Sequence, residues 1–203
     1  MRAMGWRRLA WGGALSAVAA GIGYAAIRTP TGRRIDRGLF AALNRGGGPI
    51  ADRAMAGITE LGSIGAPAAA AAVLSAAGRR RAAVRGLAAA GVVWLALQGV
   101  KALVDRPRPA DADPGAARTL IRRPRAAAWP SSHPAVLTAF SRVAARELGV
   151  GAVGARLLGA LDVAVAVSRV YVGVHYPSDV VSGLLFGRAA ARWWPRGGGV
   201  AGG

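Results

Sequence analysis

The chain of 203 residues contains no cysteine, so a disulfide framework, a zinc–cysteine site and a thiol nucleophile are all excluded. Acidic residues are scarce: 9 Asp and Glu stand against 27 Lys and Arg, for a formal net charge of +18. There is a single lysine, with 2 histidines. The few carboxylates form no cluster in the sequence that would suit a divalent metal, so no metal or other cofactor is expected. A nucleic-acid binder would carry its charge on a polar surface, whereas here the arginines punctuate long apolar runs. Charged residues are only 18% of the chain, hydrophobic residues 53%, and mean hydropathy is +0.34. That is too apolar for a disordered chain and high for a soluble domain. It fits an integral membrane protein with arginines in its loops and at its helix ends. The bias toward alanine, glycine and arginine points to a GC-rich bacterial genome.

The expected fold is all-α: a six-transmembrane-helix bundle forming one integral-membrane domain over residues 1–203. The apolar runs place spans at 9–27, 61–77, 82–104, 134–148, 157–172 and 180–194. The first run, Leu9 to Ile27, follows Arg7-Arg8, a pattern shared with secretory signals; the later spans favour an uncleaved helix. Between Thr29-Pro30 and the Gly46-Gly47-Gly48-Pro49 breaker, Ile35, Leu39, Phe40 and Leu43 recur at near-helical spacing opposite Arg34, Asp36 and Arg37. This reads as a short amphipathic helix at the interface. The fourth and fifth runs are interrupted by Arg142 and Asp162, and the last ends in Trp193-Trp194 and a glycine-rich tail. With a cytoplasmic amino terminus, the 27 basic residues divide almost evenly between the two faces. The positive-inside rule then gives no vote, and the outer arginines call for an anionic substrate.

The rare reactive residues cluster by topology. Lys101 ends the third span and Arg108-Pro109 follows it. His133 opens the fourth in Pro130-Ser131-Ser132-His133-Pro134. Beyond the fifth come Ser168-Arg169, His175 and Asp179. Alternating helices bring these segments to one membrane surface. Lys101, Arg108 and Arg169 form a cation set able to hold a phosphate and spread its transition-state charge. The helix start after Pro130 adds free backbone N–H groups. Two histidines can divide attack on phosphorus and protonation of the leaving oxygen. Asp179 can take a hydrogen bond from one ring nitrogen of His175 and leave the other free.

These three segments resemble the signature of the type 2 phosphatidic acid phosphatase superfamily, K-x6-R-P, then P-S-G-H, then S-R-x5-H-x3-D. The first and third blocks match at every defined position; in the second, Ser132 stands where the family usually has glycine. The resemblance implies that His175 is a nucleophile forming a phosphohistidine, that Asp179 orients it, and that His133 is the general acid. It implies phosphate binding by Lys101, Arg108, Ser131, Arg169 and the N–H of Ser132, without a metal. The expected activity is therefore that of a membrane phosphatase for a lipid phosphate or diphosphate: a prenyl diphosphate, phosphatidate or phosphatidylglycerophosphate. The expected partners are that lipid and the bilayer, with the site on the outer face of a bacterial cell membrane. The Cβ of Ser132 would restrict the backbone and crowd the phosphate, so tuned or reduced activity is expected.

Other readings stand beside this one. A phosphotransferase would replace water by an acceptor alcohol, and a noncatalytic lipid-phosphate binding or transport protein would need the cations without the histidines. Lys101 and Arg169 would then merely snorkel. Arg106 is equally a phosphate-shell contact or a loop charge. Arg118, Arg122, Arg123 and Arg125 read as a solvated or headgroup face, and Asp162 as the structural partner of an arginine.

Overall fold

Proline, glycine and threonine set most of the helix boundaries. In the computed structural model, which describes residues 3–115 and 117–196, α1 runs over Ala3–Arg28 and stops at Thr29. The Thr29 hydroxyl accepts a hydrogen bond from Gly32 N at 2.9 Å, and Pro30 occupies the first turn of α2, Pro30–Leu43. There follow α3 (Pro49–Glu60), α4 (Gly65–Ala76), α5 (Arg80–Leu103) and the single turn α6 (Pro109–Ala112). The last three helices are α7 (Ser132–Glu147), α8 (Ala152–Tyr171) and α9 (Pro177–Trp193). Among the described residues there is no strand, as expected; Met1-Arg2 and the glycine-rich tail at 197–203 lie outside them.

The centre of the bundle is α7. It packs against α5, α8 and α9, while α1 lies along the other side of α9. Every residue from Pro134 to Ser141 is buried. One core joins Ala89, Val93 and Leu97 of α5 to Ala135, Ala139 and Val143 of α7 and Ala191 of α9. Small side chains at these positions let the helix backbones approach closely, as membrane helix pairs require. One such close approach, of α9 to the start of α7, is at Gly183, where an added Cβ would fall 2.2 Å from the Ser131 carbonyl oxygen.

The expectation of six spans is only partly matched. Among the described residues two helices qualify by length and apolarity, over Leu9–Arg28 and Arg80–Leu103, and a third if α3 and α4, bent by 64° at their break, count as one. The run expected as a span at 61–77 is the short α4, Gly65–Ala76, preceded by a turn and by α3. α7 and α9 have 16 and 17 residues, and α8 carries Arg156, Asp162 and Arg169. The expected amphipathic helix is present as α2, with one correction. Asp36 does not share an exposed polar face with its neighbours; it is 4% exposed and turned into the protein beside Phe40.

Candidate active site

The helix order places the end of α5, the start of α7, the end of α8 and the start of α9 side by side. The chain between α5 and α7 folds over them, tied by Ala128 N to Arg106 O at 2.9 Å and by Leu120 N to Val172 O at 3.1 Å. Gly173, with φ of +84°, turns the chain out of α8 toward His175 in a conformation L side chains rarely adopt. Ser131 N donates to Asp179 O at 3.0 Å, which locks the start of α7 to that of α9.

Of the eight site residues expected from sequence, seven are buried: Lys101, Arg108, Ser131, Ser132, Arg169, His175 and Asp179. His133 is partly exposed. His175 Nδ1 lies 3.3 Å from Asp179 Oδ2, and its Nε2 lies 3.2 Å from Arg108 Nη1. Arginine is always a donor, so Nε2 accepts and Nδ1 carries the proton toward Asp179. Arg108 is held by carbonyls: Nη1 donates to Val174 O at 2.7 Å and Nε to Ala126 O at 3.0 Å. Both histidines lie within electrostatic reach of Lys101, Arg108 and Arg169. Burial first, then these three cations, hold the His175 imidazole well below its usual range, so it is neutral near pH 7.

Several groups in this cluster have no partner. Lys101 makes no hydrogen bond or ion pair among the described residues, and the buried Ser131 Oγ and Arg169 Nε are unbonded. Buried donors of this kind are costly unless something accepts from them. Together with the first-turn N–H groups of α7, which have no intrahelical acceptor, they make a cradle for an anion. Ser132 begins α7, and no residue other than glycine has a positive φ among the described residues. Serine therefore sits there without the backbone strain expected from its Cβ.

Four residues were missed or misread in the sequence. Arg106 is no loop charge: it is 6% exposed, and its Nη1 donates to Asp179 Oδ1 and its Nη2 to Asp36 Oδ2. Nη1 also donates to Ser178 Oγ at 2.7 Å, and Asp36 accepts from Ser178 N at 2.9 Å and Ser178 Oγ at 2.7 Å. Asp36, on α2, thereby reaches the site from another part of the chain. Thr59, fully buried at the end of α3, accepts from Arg169 Nη1 at 2.9 Å. Asp162 does pair with an arginine, Arg142 at 3.7 Å, and accepts from Ser141 Oγ at 3.2 Å. Arg118 departs from the solvated face: it binds Asp52 at 2.8 Å and stacks over Tyr171.

Residues 81–199 match the PAP2 superfamily, which is more than half of the chain. The chain belongs to that superfamily. Two solved structures have its fold. The "first transmembrane PAP2 type phosphatidylglycerolphosphate phosphatase from Bacillus subtilis" superimposes with a TM-score of 0.73 at 23% identity, covering 89% of this chain and 92% of that one. LpxE of Aquifex aeolicus does so with a TM-score of 0.68 at 22% identity, covering 75% of this chain and 90% of its own. No curated protein matches the sequence. The PAP2 match begins at Arg81, so it covers α5 to α9, which carry all eight expected site residues, while Asp36 and Thr59 lie outside it. Fold and apolar helices agree that this PAP2 protein is an integral membrane protein.

Proposed function

We propose that this PAP2 protein removes phosphate from a membrane lipid phosphate or diphosphate through a phosphohistidine at His175. The observation that carries the reading is the two-sided hold on His175: Asp179 at Nδ1 and Arg108 at Nε2. Binding alone needs cations; it does not need a neutral imidazole backed by a carboxylate.

In the proposed reaction the phosphate enters the cradle of Lys101, Arg108, Arg169, Ser131 and the N–H of Ser132, and takes over the Arg108 donor that faces Nε2. The freed Nε2 lone pair attacks phosphorus, the P–O bond to the lipid breaks, and His133, protonated in the substrate complex, gives its proton to the leaving oxygen. The charge that develops on His175 is offset by Asp179. A water molecule then loses a proton to His133 as its oxygen bonds to phosphorus; the P–N bond breaks and inorganic phosphate leaves. No step is routed through a metal. Asp36 and Arg106 act at one remove, by fixing Asp179. The short loops leave little protein to recognise a large headgroup, which favours a prenyl diphosphate. Phosphatidate and phosphatidylglycerophosphate, the latter named for the Bacillus structure, complete the candidate class. With a cytoplasmic amino terminus the site opens at the outer face.

The test is phosphate release by the detergent-purified chain from those lipids in excess EDTA, with His175→Ala as control. EDTA-resistant release that disappears in the control is expected. Release that persists in His175→Ala, or none from any lipid by folded protein, overturns the reading; a product seen only when an alcohol acceptor is added would make it a phosphotransferase.

A further inference from the structure

At the opposite end of the bundle from His175, a cavity of about 480 Å³ opens between α1, α7 and α9. Five of its lining side chains are arginines: Arg142, Arg146, Arg188, Arg192 and Arg196. No lining residue is acidic. Arg142 and Arg146 lie one turn apart on α7, as do Arg188 and Arg192 on α9. Like charges at that spacing repel, and the cavity gathers two such pairs on facing helices.

The acids nearby do not balance them. Asp162, fully buried behind the cavity, forms an ion pair with Arg142 and lies within electrostatic reach of Arg188, one acid against five arginines, and Glu147 is engaged by Arg81 and Arg85. Arg146 donates to the carbonyls of Ala191 at 3.0 Å and Trp194 at 3.4 Å. Arg188 and Arg192 form no hydrogen bond or ion pair among the described residues. The Nε atoms of Arg142 and Arg188 are buried without a partner. Trp11 and Leu15 of α1 add an apolar wall at the rim.

We propose that this cavity binds a phosphate-bearing anion at the membrane surface opposite the His175 site. Planar guanidinium forks converging from two helices suit phosphate oxygens, and basic pockets between membrane helices take anionic headgroups. The same chemistry is offered by a phospholipid headgroup and by free phosphate. A bound anion would accept from the guanidinium groups that line the cavity, cancel the repulsion, and join α1 to α7 and α9. The inference does not depend on the reaction assigned to His175.

The test titrates the full chain, carrying His175→Ala to prevent turnover, with phosphatidylglycerol or phosphatidylcholine in mixed micelles, and separately with inorganic phosphate. Thermal stability against ligand concentration gives the apparent affinity. Phosphatidylglycerol is expected to saturate, with Arg188→Gln/Arg192→Gln weakening it about thirtyfold. Arg79→Gln/Arg80→Gln, two exposed arginines at the same end but outside the cavity, should leave the affinity unchanged. Arg188→Lys/Arg192→Lys keeps the charge and should fall between, which guards against a folding defect in the glutamine pair. Saturation by inorganic phosphate with the same variant pattern supports the site and identifies free phosphate as its source. Equal stabilisation by both lipids with no effect of phosphate, or equal losses in the two glutamine pairs, overturns the site in favour of diffuse surface charge.

Discussion

Replacing Arg106 by methionine isolates the network behind His175. Arg106 is 6% exposed and joins two carboxylates that are themselves buried, Asp36 at 4% and Asp179 at 0%. It also lies over the Tyr176 ring, 4.5 Å from the centroid. Arg106→Met keeps most of the stem packing but strands both carboxylates. Breaking a buried ion pair by removing one partner costs about 3–5 kcal/mol. For a chain of this size that lowers the melting temperature by about 6–20 °C. Asp36→Asn should cost less, because Arg106 keeps Asp179, and Asp36→Asn placed on Arg106→Met should recover part of the loss. The two changes are therefore non-additive, by about 0.5–3 kcal/mol. In the phosphatase assay kcat should fall about 100-fold, the usual scale for misplacing a reacting group by about 1 Å, with KM little changed. Arg106→Lys restores charge but offers one nitrogen to two carboxylates, so it should rescue stability more than kcat. Arg106→Met that unfolds within about 1 kcal/mol of the parent, or that alters KM alone, would refute the reasoning.

Two further perturbations test other parts of the structure. His175 is held neutral by burial and by Arg108, Arg169 and Lys101, with a folded pKa well below the usual value of 6.5. Below about pH 6.5 the unfolded chain then binds a proton that the native site refuses, so stability falls as pH falls, by up to about 1.4 kcal/mol per pH unit from this group. Chemical unfolding in phosphate-free detergent between pH 7 and pH 5 should show that slope, and His175→Asn should flatten it; an equal slope in both proteins would exclude the neutral buried ring. Gly183→Ala would put a Cβ 2.2 Å from Ser131 O and force α9 away from α7. A loss of about 1–3 kcal/mol is expected, whereas Gly13→Ala, inside α1 with nothing within 4 Å, should cause no loss in the same melt and a gain of up to about 1 kcal/mol.

How much of this was legible in the sequence depends on the range of the interaction. The spacing from Lys101 to Arg108, and from Arg169 through His175 to Asp179, is local: each block spans one helix end and one turn. Proline at the start of α9 and in the first turn of α7 also marks those helix starts. The residues that were missed act across long separations. Asp36 is 70 residues from Arg106 and 142 from Ser178, and Thr59 is 110 from Arg169. On α2 the apolar and charged positions alternate as an interfacial helix should, and nothing in that pattern distinguishes Asp36, which is buried, from Arg34 and Arg37, which are exposed. Only the arginine placed against it by the fold does so.

Hydropathy fails on the central helices for a related physical reason. It measures fitness to face lipid, and only outer helices need that in full. In the two apolar spans just 22% and 33% of the qualifying window is buried by protein, so those helices must satisfy the bilayer with their own side chains. α7 is surrounded by α5, α8 and α9, and can carry Thr138, Ser141 and Arg142 because protein rather than lipid receives them. The interruptions that made the fourth and fifth runs weak, Arg142 and Asp162, are partners across the α7–α8 contact. Weak hydropathy in α7 therefore records an inner position, whereas α8 keeps an outer face, with Val153, Leu157 and Val163 exposed, and turns Asp162 toward α7 and Arg169 toward Thr59 at the end of α3.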